Sequence, residues 1–379
     1  MKYNSIFRGV LLSFFIIGLI FTTSSAVSAD CSIVETPTGY SIICSDSISG
    51  EISGTDQNDI IHILPHASLL YYLTDSGDNF TEAIIAGIYG LQGNDEITNE
   101  GDIEELGASA ETTAVGVIVT IDGIVEGDTP GSALSDTSAT ANASATGIDG
   151  GADNDTIENW ADIAAGAQAA VEATDVATNI TVTIDGDATG AALSDASVTA
   201  DAAAIGINGG GDADTIDNRG DIELLSNSDA TGVAVSLTVA GTMKGDAEGS
   251  SVSDASVTAT STATGIDGGE GDDTIENEGI ITLMNGSGDD VTDASATAVS
   301  VGLTVSGSME GNVAGEALND ASAMADAMAI GIDGGSGIDE ITNRGAIIGF
   351  VDSSATAVGV AVDIGITEEG LSQRHSLLQ

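Results

Sequence analysis

A unit of about sixty residues recurs along this chain, and self-similarity at a fixed period limits the folds open to it. A weaker copy, GIYGLQGNDEITNEGDI, begins at Gly87. Closer copies, such as GINGGGDADTIDNRGDI, begin at Gly147, Gly206, Gly265 and Gly331, and the last interval is slightly longer than the others. The stretches between them, such as ALSDASVTADAAAIGI and SVSDASVTATSTATGI, also align. This repetition indicates a stacked repeat architecture.

The local period of the repeat is two, which predicts β-strands. Ala alternates with Thr, Asn and Ser in ATANASATGI (139–148), and aliphatic residues alternate in GVIVTIDG (116–123). The aspartate of each SDxS segment precedes the aspartate of the next GGxGxD segment by a constant interval of roughly 20 residues, which is typical of one solenoid coil. We therefore predict an all-β, parallel β-helix or β-solenoid with coils of ~20 residues, three coils per ~59-residue repeat and inward Ala, Val and Ile. About 17 such coils would form a rod of roughly 80 Å. The alternative is an antiparallel two-sheet sandwich for each repeat.

The segment 1–29 has the composition of a secretory signal peptide. Lys2 and Arg8 precede the apolar run VLLSFFIIGLIF, and small residues lead to a cleavage site between Ala29 and Asp30. The remaining chain is predicted to be secreted or displayed on a bacterial surface. We divide it into an N-terminal cap (30–84), solenoid repeats (85–365) and an irregular C-terminal tail (366–379). Cys31 and Cys44 bracket a hairpin pattern, so export predicts a disulfide between them.

The charge of the exported chain is strongly negative. Sixty acidic residues remain against four cations once the leader is removed, a net charge of about −56. Nucleic acids and anionic membranes require a basic surface, so the charge excludes both as partners. The candidates for neutralising it are bound divalent metal, high external salt or a cationic partner.

The GGxGxD segments carry the chemistry of a calcium site. GGEGDDTIE (268–276) and GGSGIDEIT (334–342) fill every fixed position of the nonapeptide G-G-x-G-x-D-x-U-x and resemble the RTX, or haemolysin-type, calcium-binding repeats. Calcium prefers six to eight oxygen ligands, and glycines allow a chain to turn its carbonyls towards an ion. The resemblance implies that Ca²⁺ is the cofactor. It implies the ligands Asp273 with its neighbour Asp272, Asp339, Asp155, Asp214, Asp95 and Asp59.

Four of those six segments depart from the pattern. Asp153 and Asp212 replace the third glycine in two of them, Leu91 replaces the second in another, and GTDQND around Asp59 keeps one glycine. Three coils per repeat would place like segments roughly 14 Å apart, too far to share an ion. Each site would then borrow a ligand from the neighbouring coil. The expected donors are the SDxS aspartates Asp136, Asp195, Asp254 and Asp320.

Two other interpretations of the sequence remain open. GGxGxD is also typical of an Asp/Gly turn in which the aspartate accepts hydrogen bonds from backbone amides. The N-x-G-x-I segments loosely resemble autotransporter passenger domains, which are surface β-solenoids. Irregular T-x-T runs give a weaker ice-binding alternative.

The residues do not indicate catalysis. His62 and His66 in HILPH are the nearest approach to a transition-metal pair, and a single Trp and few cations argue against a sugar or uronate cleft. The predicted function is a secreted or cell-surface calcium-binding structural repeat protein and not an enzyme. The alternative is an adhesin-like rod that binds a surface ligand without specific calcium sites.

Overall fold

A computed structural model describes residues 31–284, 291–367 and 370–376, and its strands form three sheets of a β-solenoid. The short sheet contains β1 (Cys31–Glu35), β2 (Tyr40–Cys44), β4 (Ile60–Ile63), β7 (Glu96–Asn99), β11 (Thr156–Asn159), β14 (Thr215–Asn218), β17 (Thr274–Asn277) and β21 (Glu340–Asn343). The first long sheet contains β5 (Ser68–Gly77), β8 (Asp102–Glu126), β12 (Ile163–Asp185), β15 (Ile222–Lys244), β18 (Ile281–Leu283), β19 (Thr292–Glu310), β22 (Ile347–Gly349), β23 (Val351–Thr367) and β24 (Gly370–Ser376). The second long sheet contains β3 (Ile52–Ser53), β6 (Phe80–Tyr89), β9 (Thr129–Asp136), β10 (Ala139–Gly151), β13 (Ala188–Gly210), β16 (Ala247–Asp267) and β20 (Val313–Asp333).

Neighbouring strands are parallel throughout the repeats, which confirms the predicted all-β solenoid and excludes the antiparallel sandwich. Antiparallel pairs occur at the two ends of the described chain, between β1 and β2 and between β23 and β24. A disulfide joins Cys31 to Cys44 across the first of these pairs. The segment 366–379, predicted to be irregular, contains the strand Gly370–Ser376. The predicted leader (1–29) lies outside the described residues.

The length of a coil differs from the prediction, because each repeat forms one coil instead of three. Ile157 pairs in register with Ile216, and Ala141 pairs with Ala200, so equivalent residues of successive repeats are direct neighbours. The cause is strand length: β12 and β13 each run for 23 residues before the chain turns. Asp195 of the SDxS segment lies inside β13, so the constant interval between the SDxS and GGxGxD aspartates measures a path along one coil.

The coil has a flat cross-section, and its dimensions differ from those of the predicted rod of about 17 small coils. A 23-residue strand spans about 75 Å, and the six stacked strands of the second long sheet span about 24 Å. Within a coil, a strand of the short sheet, such as β11, is followed by a strand of the first long sheet, such as β12, which runs away from the short sheet. A tight turn such as Gly186–Asp187 then leads into a second-sheet strand that returns. We call the half of the long sheets near the short sheet the proximal half and the other the distal half.

Apolar packing is concentrated in the proximal half. Isoleucines at the short sheet, among them Ile157 and Ile216, and inward alanines of the long sheets form the main buried cluster. In the distal half the small apolar cluster contains Ala133, Ala177 and Ala192. The other inward side chains there are mainly Ser, Thr and Asn.

Val and Ile point inward as predicted in the short sheet and the proximal half, where Ile157, Ile163 and Val171 are buried, but not in the distal half. In the proximal half of β12, Ile163, Ala165 and Ala167 are buried, so every second residue counted from Ile163 points inward. Side chains alternate along an unbroken strand, so Asn179 and Thr181 also point inward, and Val182 points outward. Among the described residues, no helix is long and apolar enough to cross a membrane.

Candidate functional site

The GGxGxD segments form the corner between the second long sheet and the short sheet, and they stack directly on one another. The backbone N–H of Gly211 donates to the carbonyl of Gly151 at 2.9 Å, and that of Glu270 donates to the carbonyl of Gly210 at 2.9 Å. The prediction that three coils separate like segments is therefore wrong, because successive repeats occupy successive coils.

The turn survives in the segments that lack a glycine. Glycines in the second position have positive φ, for example 104° at Gly151, and Leu91 takes the same conformation with φ 81°. Asp153 and Asp212 replace the third glycine with φ of 76° and 69°. Aspartate adopts left-handed backbone angles more readily than most residues, so both substitutions preserve the corner.

The aspartate that follows each turn points into the solenoid and forms a ladder from coil to coil. The order along the ladder is Asp59, Asp95, Asp155, Asp214, Asp273 and Asp339. Each backbone N–H donates to the Oδ1 atom of the next aspartate, at 2.6, 2.8, 2.7, 2.8 and 3.1 Å in turn. The first five residues are at most 2 % exposed. We call this set the aspartate ladder.

Each interior member of the ladder leaves one oxygen without a partner. The Oδ2 atoms of Asp95, Asp155, Asp214 and Asp273 are buried and accept no hydrogen bond. Burial is the main cause that raises the pKa of these carboxyls, and neighbouring carboxylates add to it. The pKa of Asp95 rises to about 7, that of Asp155 to about 8 and that of Asp214 to about 7. At the terminus of the ladder, Asp59 is better satisfied: its Oδ2 accepts from the N–H and hydroxyl of Thr55.

The SDxS aspartates lie in another part of the coil. Asp136, Asp195, Asp254 and Asp320 are register neighbours on the outer face of the second long sheet. Asp254 and Asp267 belong to the same extended strand, so Asp254 lies about 40 Å from the corner that holds Asp273. The structure therefore does not bring the SDxS aspartates into the predicted shared sites. Ser138, Ser197 and Ser256 each donate to the SDxS aspartate two residues earlier.

Hydrogen bonds between coils occupy part of the oxygen set that a calcium ion at the corner would use. Oδ1 of each inner aspartate accepts a backbone N–H, and the turn carbonyls of Gly151, Gly210 and Gly269 accept N–H groups of the next coil. Each interior member of the aspartate ladder keeps one oxygen, Oδ2, free of hydrogen bonds, whereas calcium prefers six to eight oxygen ligands. Asp272 is exposed, and its Oδ1 accepts from the N–H of Ile338. Within the described ranges no group of three or more His, Cys, Asp or Glu side chains could hold a metal ion.

Further ladders occupy the same solenoid and were not predicted from the sequence. Inside the short sheet, Asn159 donates its Nδ2 to Oδ1 of Asn218 at 2.7 Å, and Asn218 donates to Asn277 at 2.7 Å. At the distal turn, the N–H of Asp246 donates to Oδ1 of Asp187 at 2.8 Å. The residues of these ladders recur in the aligned repeats, within D-x-I-x-N and G-D. Only the length of the coil shows that the recurring residues are neighbours in space.

Outside the aspartate ladder, His62 and Arg219 contact acidic side chains on the outer face of the short sheet. His62 contacts Glu100 through Nε2 at 3.0 Å, and His66 is an exposed turn residue with φ 80°. The guanidinium of Arg219 stacks on Trp160, 3.8 Å from the ring centroid, and pairs with Asp217. Such contacts neutralise outer acidic positions of the short sheet.

No protein-family model, no curated protein and no solved structure matches this chain. The resemblance to RTX repeats therefore rests on the two complete nonapeptides alone.

Proposed function

We propose that this chain is a secreted or cell-surface structural repeat protein that acts through its extended sheet surfaces, without catalysis and without a need for specific calcium sites. The observation that carries the proposal is the aspartate ladder. Each GGxGxD aspartate accepts a backbone N–H from the adjoining coil, which is the role expected of a turn-forming aspartate. The corner is thus closed by hydrogen bonds between coils.

The outer surface supports a scaffold or adhesin-like role. Identical side chains stand in register on successive coils, for example Asp195 beside Asp254 and Ser197 beside Ser256. Such a surface repeats one chemical group about every 4.8 Å along the stacking axis. It offers a regular array to a surface ligand instead of a single cleft.

Calcium binding remains the second candidate. The four partnerless Oδ2 atoms of the aspartate ladder favour a cation, because a buried ionised carboxylate without a partner is costly. The competing way to lower that cost is protonation, which the raised pKa values favour.

Circular dichroism and thermal melting of residues 30–379 in EGTA, in millimolar calcium and in NaCl of matched ionic strength separate the two candidates. The scaffold proposal predicts a β spectrum in EGTA and equal stabilisation by CaCl₂ and NaCl, since both would screen the charge of about −56. A melting temperature that rises in calcium alone would favour calcium sites, since a ligand of the folded state stabilises it by mass action.

A further inference from the structure

The distal half of the first long sheet has its apolar side chains on the outside. Along β12, inward Asn179, Thr181 and Thr183 are buried, and outward Val182 and Ile184 are 47 % and 45 % exposed. A soluble sheet with one solvated face usually has the opposite pattern. The burial of large aliphatic side chains in this region is therefore incomplete in the single chain.

The outward residues form a regular array across five strands. Val117, Val176, Val235, Val301 and Val360 make one column in register through β8, β12, β15, β19 and β23. Three parallel columns begin at Val115, Val119 and Ile121, and their members are aliphatic except for Thr174 and Thr178. We call these four columns, together with the next two outward columns, which contain Val182 and Ile184, the aliphatic face. The four columns contain no charged residue and no aromatic residue.

The size of the aliphatic face matches a protein interface. From Thr174 to Ile184 it extends about 33 Å along the strands, and five strands at about 4.8 Å span roughly 20–24 Å, which gives roughly 650–800 Å². The largest apolar patch on a typical monomer is about 300–600 Å², and a stable interface buries about 800 Å² on each partner.

We propose that the aliphatic face is a self-association surface, on which a second copy of this chain packs face to face. Two identical flat faces can bury each other around a two-fold axis, with sheets about 10 Å apart and aliphatic columns interleaved. This inference goes beyond the proposed scaffold function and does not depend on calcium.

The chemistry of the face favours a second copy over a lipid surface. Side chains that anchor proteins at a membrane interface are commonly Trp, Tyr and basic residues, and the four columns contain none. The net charge of about −56 also repels anionic lipid. Two copies repel each other too, but the charges lie outside the columns, so salt should screen them and strengthen pairing.

Sedimentation velocity of residues 30–379 between 1 and 100 µM, in 0.05 and 0.5 M NaCl, tests the proposal. We expect a monomer–dimer equilibrium that tightens several-fold in the higher salt. The double variant Val235→Thr/Val301→Thr should weaken dimerisation at least tenfold, because each polar hydroxyl is introduced twice in a symmetric interface. Thr174 and Thr178 already occupy this face, so threonine suits the strands.

The matched control is Val252→Thr, which makes the same change on the outer face of the second long sheet and should leave dimerisation within twofold of the unmodified chain. A monomer at 100 µM in 0.5 M NaCl, or equal weakening by the control, would overturn the proposal. Flotation with phosphatidylcholine vesicles identifies the other occupant: a monomer that floats, and that the double variant releases, would assign the face to lipid and refute self-association. Far-UV circular dichroism of every variant keeps a loss of pairing distinct from a loss of the solenoid itself.

Discussion

Replacing Asp155 by Asn tests whether the aspartate ladder is a structural ladder of buried carboxyls. Oδ1 of Asp155 accepts the N–H of Asp95 at 2.8 Å, and an asparagine carbonyl can accept the same bond. Oδ2 of Asp155 is buried without a partner. An Nδ2 group in its place removes the charge and can donate along the stack, as the neighbouring asparagines do. We therefore expect the substitution to stabilise the protein at neutral and higher pH.

The pH dependence gives the expected magnitude and sign. Burial raises the pKa of Asp155 from an unfolded value near 4 to about 8, so the folded state binds the proton more tightly than the unfolded state. The contribution of this proton to the free energy of unfolding is complete below about pH 4 and is lost as the pH rises towards 8. One such group changes the free energy of unfolding by about 1.4 kcal/mol per pH unit between these limits. Between pH 5 and 7 the difference between variant and unmodified protein should thus grow by about 1–3 kcal/mol, because Asp95 and Asp214 share the titration of the ladder.

Urea unfolding at pH 5, 6, 7 and 8 in EGTA, followed by circular dichroism and by the fluorescence of Trp160, measures this difference. The control variant Glu158→Gln removes one exposed charge from the outer face of β11, the strand that follows Asp155, and shows what the loss of a surface charge contributes. Parallel curves for Asp155→Asn and the unmodified protein would refute the reasoning. A variant that is less stable than the unmodified protein at pH 8, in calcium but not in EGTA, would instead identify the carboxylate as a metal ligand.

Other perturbations give distinct outcomes in the same urea assay. Gly210→Ala places a Cβ against the carbonyl of Gly151 at φ 103° and should cost about 1–3 kcal/mol, whereas Leu91→Gly should be neutral or stabilising because Leu91 already holds φ 81°. Ile216→Ala removes a buried side chain of the short sheet and should cost about 2–5 kcal/mol; a loss below about 1 kcal/mol would contradict its place in the core. Asn218→Ala removes the partner of the Asn159 amide and should cost about 1–3 kcal/mol, more than Asn208→Ala on the partly exposed second long sheet.

The sequence was sufficient to predict the class of fold, because period-two alternation and recurring Asp/Gly segments specify stacked strands and corners. It was also sufficient for the disulfide, since Cys31 begins the first strand and Cys44 ends the second strand of a hairpin pattern. The coil length could not be read from it. Alternation shows that a strand continues, but SDxS resembles a turn in composition and yet lies within an unbroken strand, where Ser194 is buried and Asp195 faces outward.

The sequence predicts an Asp/Gly turn at each GGxGxD segment, but the chemistry of that turn depends on the direction of one side chain. Asp155, Ile157 and Asn159 alternate inward, so the motif aspartate behaves as the first inward residue of the short strand. A sequence comparison with calcium-binding nonapeptides cannot supply that direction. The outward position of Val176 and Ile180 was missed for a related reason. Side chains alternate along the whole of β12, so the inward position of Ile163 determines the direction of Val176 and Ile180, regardless of which side chains are more apolar.

The claim that one repeat makes one coil is tested most directly by a distance along a single long strand. Spin labels at Thr189→Cys, near the start of β13, and at Asp201→Cys, just past its middle, occupy exposed positions, and the native cysteines are paired with each other. Pulsed electron–electron double resonance, with labelled protein diluted in unlabelled protein, should give a distance of about 40 Å if β13 is continuous. A coil of ~20 residues with three short strands would hold the two labels within about 20 Å, and that result would contradict the account.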